Sequence, residues 1–352
     1  MRVARHSTRH FRLPLARPLA TAHGSIAVRE GVIVRLVDAE GRVGVGEAAP
    51  LPGFELETLP EAEAAIDRTA RTLGDITDGA SIDTLLDRVD AENEKTPCAR
   101  AALDTALHDL AARGEDLPLA TWLARAEGRE PRARVAIAAL LRAHAPGEVA
   151  REARGAVEAG FRALKLKVAA SDDDLARVAA LRAVCPDDVE LRLDANAGWS
   201  EDEAKTWLHA LAPFRPAWVE QPVASADALA RLRRTCRVPL GVDEGLASAH
   251  AAQALADSGA ADLWVVKPAV VGGLRAARRL AARARVAGSE AVISGFLDTA
   301  IGSAAALALA AAIADARPAG LDPVLAQDLA ELPALVRGER ELPAGPGLGV
   351  TA

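Results

Sequence analysis

The pattern of apolar and polar residues in the first third of the chain predicts strands followed by helices. Segments 31–37 and 42–46 have strand-like composition and flank Asp38–Gly41, whose sequence is typical of a hairpin turn. Apolar residues then recur at helical spacing in 59–73, 81–89 and 97–113. We therefore expect an α+β module at the amino terminus.

From about residue 134 short apolar segments alternate with amphipathic, Ala- and Arg-rich segments. The predicted strands are Val135–Leu141, Ala163–Val168, Val189–Asp194, Trp218–Glu220, Leu240–Val242, Leu263–Lys267 and Ala291–Ser294. Regular strand–helix alternation is typical of a parallel sheet, and this number of repeats favours a (β/α) barrel over an open sheet. The Pro- and Gly-rich tail, Glu331–Ala352, is expected to pack back on the first module.

Composition narrows the class of protein. The 352 residues carry a net charge of −7, which argues against a nucleic-acid-binding face. The first twenty residues have no apolar signal-peptide core, and the apolar run 300–314 is too short to span a bilayer, so we expect it to form a buried helix. Three widely spaced cysteines suggest a reducing compartment. These features predict a soluble cytoplasmic protein without a membrane or nucleic-acid partner; they leave the oligomeric state open.

Charged and polar residues end the predicted barrel strands at regular intervals. Lys167, Asp194, Glu220, Asp243, Lys267 and Ser294 are separated by 27, 26, 23, 24 and 27 residues. Each interval is one strand–helix unit, so these side chains should meet at the carboxyl-terminal mouth of the barrel, where active sites of this architecture lie. Alternation along a strand also places Lys165 on the face of Lys167, and Arg192 on the face of Asp194.

The three carboxylates predict a metal site. Asp194, Glu220 and Asp243 would repel one another strongly if they were buried together without a cation. A hard divalent cation such as Mg²⁺, bound by three carboxylates and water, removes that repulsion. The alternative is that each acid caps the helix that follows it, but that alternative explains three consecutive strand ends less well.

Lysine is rare enough in this chain for its positions to be informative. Of 42 basic residues only five are lysines, and three of these, Lys165, Lys167 and Lys267, flank the predicted carboxylate trio. Arginine stays protonated, whereas a desolvated lysine can lose and regain a proton. We expect Lys167 to act as a base beside the α-carbon of a metal-bound carboxylate substrate, and Lys165 to serve partly as charge balance.

These residues resemble the enolase superfamily. The resemblance rests on Lys-x-Lys on the second strand, Asp, Glu and Asp on the next three strands, and lysine on the sixth. Within the superfamily the chain is most similar to the o-succinylbenzoate synthases of menaquinone biosynthesis. The segments that carry this resemblance are 46–54, 99–107, 191–199, 219–222 and 266–273.

The resemblance implies a (β/α)7β TIM barrel of the α/β class with an α+β capping domain. Its boundaries would be 1–130 for the capping domain, 131–325 for the barrel, and 326–352 for a carboxyl-terminal segment that completes the cap. It also implies an Mg²⁺ cofactor, for which Mn²⁺ can substitute, bound by Asp194, Glu220 and Asp243.

The implied reaction is the syn-dehydration of 2-succinyl-6-hydroxy-2,4-cyclohexadiene-1-carboxylate to o-succinylbenzoate by a hydro-lyase. Lys167 would remove the α-proton, and Lys267 would stabilise the enediolate. The supporting or substrate-binding positions implied are Lys165, Arg192, Asn196, Glu244, Ser294, Gly295, Thr21, Leu51 and Phe54.

Other functions remain open. An N-acylamino acid racemase or dipeptide epimerase of the same superfamily would use Lys167 and Lys267 as opposed bases. A binding scaffold with a vestigial site is a third, non-enzymatic alternative. Gly245 and Gly295 stand where many relatives carry serine, so the contacts of the substrate in that region are not defined by the resemblance.

Overall fold

The structure is a computed structural model that describes residues 2–21, 24–54, 57–76, 79–246, 249–313, 317–322 and 325–350. Its helices are α1 Leu59–Gly74, α2 Ile82–Glu92, α3 Pro97–Gly114, α4 Leu119–Arg125, α5 Pro146–Glu158, α6 Asp172–Val184, α7 Glu201–Leu211, α8 Ala226–Thr235, α9 Ala249–Ser258, α10 Pro268–Val271, α11 Leu274–Val286 and α12 Ala300–Ala312. Among the described residues, no helix combines the length and apolar character needed to cross a bilayer.

An antiparallel sheet opens the amino-terminal module. Its strands β1 Val3–Thr21, β2 Gly24–Asp38 and β3 Val43–Ala48 lie in sequence order. The predicted hairpin is confirmed, and Asp38 fixes its turn by accepting hydrogen bonds from the Arg42 backbone N–H at 2.8 Å and from Arg42 Nε at 2.6 Å. The long strand β1 was not predicted, because Arg, His and Pro interrupt its apolar residues.

The helices of this module cover one face of the sheet. The predictions of α1, α2 and α3 are confirmed within a few residues. Thr58 and Glu61 form a reciprocal capping box at the start of α1, and Ser81 caps α2. The core contains Val32, Val34 and Leu36 of β2, packed against the buried faces of α1 to α3. The sequence pattern did not reveal α4, which has seven residues and begins after a proline.

A curled parallel sheet forms the second part of the molecule. Within the described residues its strands are β5 Ala139–Leu141, β6 Ala163–Lys167, β7 Glu190–Asp194, β8 Trp218–Glu220, β9 Leu240–Val242, β10 Leu263–Val266 and β11 Glu290–Ile293, in consecutive spatial order. The alternating helices pack on its outer face, as the prediction of a (β/α)7β fold requires. The alanine-rich α12 is buried, which confirms the expectation for that apolar run.

Residues Ala319 and Gly320, here called the closing segment, connect the two edges of this sheet. Ala319 N donates to Ala136 O and Ala319 O accepts from Ala138 N, while Gly320 N donates to Ile293 O at 2.9 Å. Parallel bridges join Ile137 to Ala319 and Ser294 to Gly320. The closing segment therefore fills an eighth position between β11 and β5 and closes the ring of strands.

The first predicted barrel strand, 135–141, is divided into two strands in the structure. Its first part, β4 Arg134–Ala136, pairs antiparallel with β13 Glu339–Glu341, which also pairs with β12 Leu335–Val336. The tail thus pairs with a strand at the start of the barrel, a contact that the prediction did not include. Its final described residues do reach the first module, where Leu348 N donates to Asp109 of α3 at 2.8 Å.

Candidate active site

The ends of β6 to β10 bring the predicted chemical groups to one mouth of the barrel. In the parallel register Lys167 lies beside Asp194, and Asp194 lies beside Glu220. Asp243 follows β9, and Lys267 follows β10. All five side chains line one cavity of about 420 Å³. The regular spacing of these residues in the sequence therefore corresponds to a real cluster in space.

Two lysines contact the three carboxylates directly. Lys165 Nζ lies 2.7 Å from Glu220 Oε1 and 2.9 Å from Asp194 Oδ2, so it bridges two strands. Lys267 Nζ donates to Asp243 Oδ2. Asp194, Glu220 and Asp243 are all buried, whereas the side chains of Lys165 and Lys267 are 21% and 20% exposed.

The buried charges shift one another's protonation equilibria. Burial raises the pKa of Glu220 to about 7; Lys165 opposes this shift, and repulsion from Asp194 and Asp243 adds to it. Burial also acts to raise the pKa of Asp194, but the lysines outweigh it and the pKa is lowered. For Lys165 and Lys267 burial acts to lower the pKa, yet the facing carboxylates dominate and both pKa values are raised. Both ammonium groups are therefore held in the charged form.

The chemistry of the donor set fits a hard divalent cation. Three buried carboxylates from adjacent strands supply oxygen ligands alone. Burial first, and repulsion from Asp194 and Asp243 second, raise the pKa of Glu220, and a bound cation would offset both effects. In the described part of the chain, however, no three Asp, Glu, His or Cys side chains are gathered around a common ion position. Here the carboxylates are turned to Lys165 and Lys267. Their role as Mg²⁺ ligands therefore stays a prediction.

Lys167 and Lys267 occupy opposite positions in the ring of strands. Counting the closing segment as the eighth position, β6 and β10 are four positions apart in either direction around the ring. Lys267 is ion-paired with Asp243, whereas within the described residues no carboxylate lies within ion-pair distance of Lys167. The cavity is thus flanked by two amines, of which one has a fixed counter-ion.

Asn196 and Glu244 lie on the loops that follow the carboxylate strands. Asn196 has a positive φ of 44°, and its backbone N–H donates to Asp194 Oδ1 at 3.0 Å. Its side-chain amide lies 3.5 Å from Glu244 Oε1, a marginal hydrogen-bond distance, and both residues line the cavity.

Gln221 organises the same region, although sequence reasoning assigned it no role. Its Oε1 accepts from Asp243 N at 2.9 Å and from Gly245 N at 3.2 Å, and its Nε2 donates to Val223 O at 2.8 Å. Gln221 therefore fixes the backbone that carries Asp243. Its position directly after Glu220 was the available signal.

The polar groups of Arg192 and Ser294 form hydrogen bonds within the barrel. The Arg192 guanidinium donates to Glu190 and to Pro318 O and stacks on Trp218, 4.3 Å from the ring centroid. Ser294 Oγ donates to Gly320 O of the closing segment at 3.2 Å. Both residues line the cavity, as does Gly295, but their hydrogen bonds shape its wall.

The amino-terminal module covers part of the cavity. Leu51 and Phe54 line it, and Phe54 packs edge-to-face on Phe296 of the barrel with ring centroids 5.7 Å apart. The buried Arg29 joins the same two parts by donating to Pro50 O and, at 3.0 Å, to Leu297 O. The side chain of Thr21, the other predicted position, lies outside the described residues.

Three acids on the far side of the mouth were not predicted. Asp298, Asp322 and Asp328, here called the acidic wall, line the cavity after β11 and after the closing segment. Asp322 Oδ2 lies 3.4 Å from Arg142 Nη1, and Asp328 Oδ1 accepts from Ala300 N at 2.8 Å. They escaped sequence reasoning because they lie in loops rather than at strand ends.

Comparisons with known proteins identify relatives along the whole chain. Residues 5–123 match the family described as mandelate racemase / muconate lactonizing enzyme, N-terminal domain, and residues 148–352 match enolase C-terminal domain-like. A chloromuconate cycloisomerase of Cupriavidus pinatubonensis is 33% identical over 96% of this chain and 93% of its own length. The L-Ala-D/L-Glu epimerase of Bacillus subtilis is 30% identical over 88% of this chain and 85% of its own.

A solved structure has the same fold. The dipeptide epimerase from Enterococcus faecalis V583, complexed with Mg and the dipeptide L-Leu-L-Tyr, superimposes with a TM-score of 0.91 and 28% identity, and the match covers 100% of both chains. This similarity supports the predicted architecture. The matched epimerase binds Mg and a dipeptide in its own structure.

Proposed function

This chain belongs to the enolase superfamily, in the family of mandelate racemase and muconate lactonizing enzyme, and from that premise we propose that it inverts the α-carbon of a small amino-acid-derived carboxylate. The observation that carries the proposal is the opposition of Lys167 and Lys267 across one cavity. Inversion needs an acid and a base on opposite faces of the same carbon. The epimerases among the relatives support this reading more than they support a dehydratase.

The two lysines would act as base and acid on opposite faces of the same carbon. In one direction Lys167, which has no carboxylate partner among the described residues, removes the α-proton. The C–H electron pair moves into the substrate carboxylate to form an enediolate. Lys267, held as an ammonium by Asp243, delivers a proton to the opposite face. In the reverse direction the roles exchange.

Asp194, Glu220 and Asp243 would hold Mg²⁺ in the loaded enzyme. Mg²⁺ in that position would stabilise the negative charge of the enediolate oxygens. Lys165 contacts Asp194 and Glu220 and orients both side chains.

The acidic wall favours one substrate class. Asp298 follows β11 and Asp322 follows the closing segment, on the side of the ring opposite β8, and with Asp328 they line the cavity. A dipeptide places its free ammonium group against these carboxylates. An N-succinyl amino acid would place a second carboxylate there, which like charge disfavours. We therefore propose dipeptide epimerisation over N-acylamino acid racemisation.

A substrate panel tests this proposal. Purified protein with Mg²⁺ in D₂O is incubated with dipeptides, N-succinyl amino acids, chloromuconate and 2-succinyl-6-hydroxy-2,4-cyclohexadiene-1-carboxylate, and exchange and product are followed by ¹H NMR. We expect α-deuterium incorporation with epimerisation of dipeptides. Lys167→Ala should abolish epimerisation and the exchange of one epimer, and leave exchange of the epimer whose α-proton Lys267 removes. Dehydration of the cyclohexadiene without any epimerisation would instead establish the synthase reaction and overturn the proposal.

A further inference from the structure

The backbone that carries Lys267 is held from outside the barrel. Lys267 follows β10 and begins a tight segment, residues 267–273, here called the Lys267 turn. Within it Val270 N and Val271 N both donate to Lys267 O, at 2.9 and 3.0 Å, and Gly273 N donates to Pro268 O at 2.8 Å. The position of the Lys267 backbone is therefore coupled to the end of its turn.

Two side chains of α3, here called the α3 clamp, bind that end. Arg100 Nη2 donates to Val271 O at 2.7 Å. Asp104 Oδ1 accepts from Leu274 N at 2.6 Å, and Arg275 N lies 3.4 Å from both oxygens of the same carboxylate. Asp104, only 1% exposed, thus caps the amino terminus of α11 from a different domain, where the actual N-cap residue is a glycine without a side chain.

The contact between the turn and the α3 clamp requires glycine at both positions 272 and 273. Gly272 and Gly273 have φ values of 94° and 111°, a region that favours glycine. A Cβ at Gly273 would lie 2.5 Å from Asp104 Cβ, and one at Gly272 would overlap the Arg100 guanidinium. The turn and the clamp are therefore fitted to each other, with no space for a side chain between them.

We infer that Arg100 and Asp104 are positioning residues for Lys267. The capping domain would thereby determine the position of one of the two opposed amines. This inference rests on the proposed function. The clamp contacts the turn of Lys267, and β6 with Lys167 lies on the opposite side of the ring. Loosening the clamp should therefore affect proton transfer at one face of the substrate more than at the other.

The test compares the two epimers of one dipeptide substrate separately. Initial α-proton exchange into D₂O is measured by NMR, and Lys267→Ala and Lys167→Ala identify the epimer that depends on each lysine. In Asp104→Ala we expect exchange of the Lys267-dependent epimer to fall at least about tenfold, since misplacement by 1 Å can cost about a hundredfold in rate. Exchange of the other epimer should stay within about twofold.

Two further variants make the result specific. Asp104→Asn keeps an acceptor oxygen and should restore most of the lost exchange. Asp109→Ala is the matched control, because Asp109 is also a buried acid of α3 but binds Val45 N and Leu348 N instead of the turn. It should lower stability without changing the ratio between epimers. If Asp104→Ala does not fold, Arg100→Ala replaces it.

The outcomes separate the two claims. Equal slowing of both epimers in the clamp variants, or no slowing in either, overturns the positioning role while the proposed function stands. The same holds if Asp109→Ala shifts the ratio as strongly as Asp104→Ala. If Lys167→Ala and Lys267→Ala fail to divide the epimers between them, the proposed function fails and the positioning role fails with it.

Discussion

At the scale of the residue, the site is a balance between three buried carboxylates and the lysines around them. Glu220 is the central member. Burial raises its pKa to about 7, and repulsion from Asp194 and Asp243 on either side adds to that shift. The metal-free protein tolerates this charge because Lys165 bridges Glu220 and Asp194. The same repulsion makes Glu220 the most informative position for testing metal binding.

Glu220→Gln should weaken Mg²⁺ binding without unfolding the protein. Loss of one charged oxygen ligand should lower the affinity at least about tenfold, or about 1.4 kcal/mol, in isothermal titration calorimetry. Without Mg²⁺ at pH 8, the variant should have a thermal unfolding temperature at least equal to that of the wild type, because a repelled carboxylate has been removed. Unchanged Mg²⁺ affinity in a folded Glu220→Gln protein would exclude this residue as a ligand.

At the scale of the element, close backbone packing explains two glycines that have no catalytic role. Gly44 and Gly46 lie on one face of β3, and a Cβ at either would overlap the carbonyl oxygen of Ala106 or Ala102 on α3. Two residues of a strand and four residues of a helix span similar lengths, so both glycines meet the same face of α3. The contact sets how closely α3, with its clamp, approaches the sheet.

Gly46→Ala should therefore destabilise the protein by about 2 kcal/mol or more, since the overlap is with backbone that cannot rotate away. Gly155→Ala is the matched control. Gly155 lies inside α5, and a Cβ added there would meet no atom within 4 Å, so the same substitution should stabilise the protein by about 0.5–1 kcal/mol. Chemical denaturation of both variants measures the difference. Similar values for the two glycines would argue against close β3–α3 packing.

At this scale, the positions of strands could be predicted from the sequence where a strand–helix unit repeats, and could not be predicted where it does not. The strand ends from Lys167 to Ser294 recur at nearly constant spacing, so their meeting at one mouth was predictable from the chain alone. The interrupted apolar pattern concealed β1, and the single segment predicted over 135–141 proved to be β4 and β5. That division depends on pairing with β13, which is about 200 residues away and invisible to a local pattern.

The polar contacts of loops were beyond sequence reasoning for a related reason. Asp298, Asp322 and the pairing of Lys267 with Asp243 depend on where side chains turn once the barrel has closed. Gln221 stood in a segment that the family resemblance highlighted, but its hydrogen bonds to the Asp243 loop required coordinates. Residue types and spacing predicted which side chains lie close together. They did not predict the hydrogen-bond and ion-pair partners of each side chain.

At the scale of the whole molecule, Glu47 joins the two domains through a buried carboxylate. From β3 it accepts hydrogen bonds from Thr299 Oγ1 at 2.6 Å and from Gly302 N at 3.0 Å, at the start of α12. Burial raises its pKa to about 7; the nearby Asp298 adds to the shift, and Thr299 and Arg29 oppose it. We therefore expect the stability of the domain interface to depend on pH.

The direction of that sensitivity follows from the raised pKa. Folding favours the protonated form of Glu47, so protonated Glu47 contributes to the free energy of unfolding. This contribution is fully present below about pH 4.5, decreases between about pH 4.5 and 7, and is absent at higher pH. In Glu47→Gln, which keeps an acceptor oxygen, the fall in unfolding free energy from pH 5 to pH 8 should be smaller than in the wild type by about 2 kcal/mol. Identical pH profiles of thermal unfolding would contradict this account.

The most direct test of the central claim is a crystal structure of the protein grown with saturating Mg²⁺ and a dipeptide substrate. We predict one cation bound by Asp194, Glu220 and Asp243, with the α-carbon of the substrate between Lys167 Nζ and Lys267 Nζ on opposite faces. The account would be contradicted by a substrate whose α-carbon has both amines on one face, or by a cation bound away from the three carboxylates.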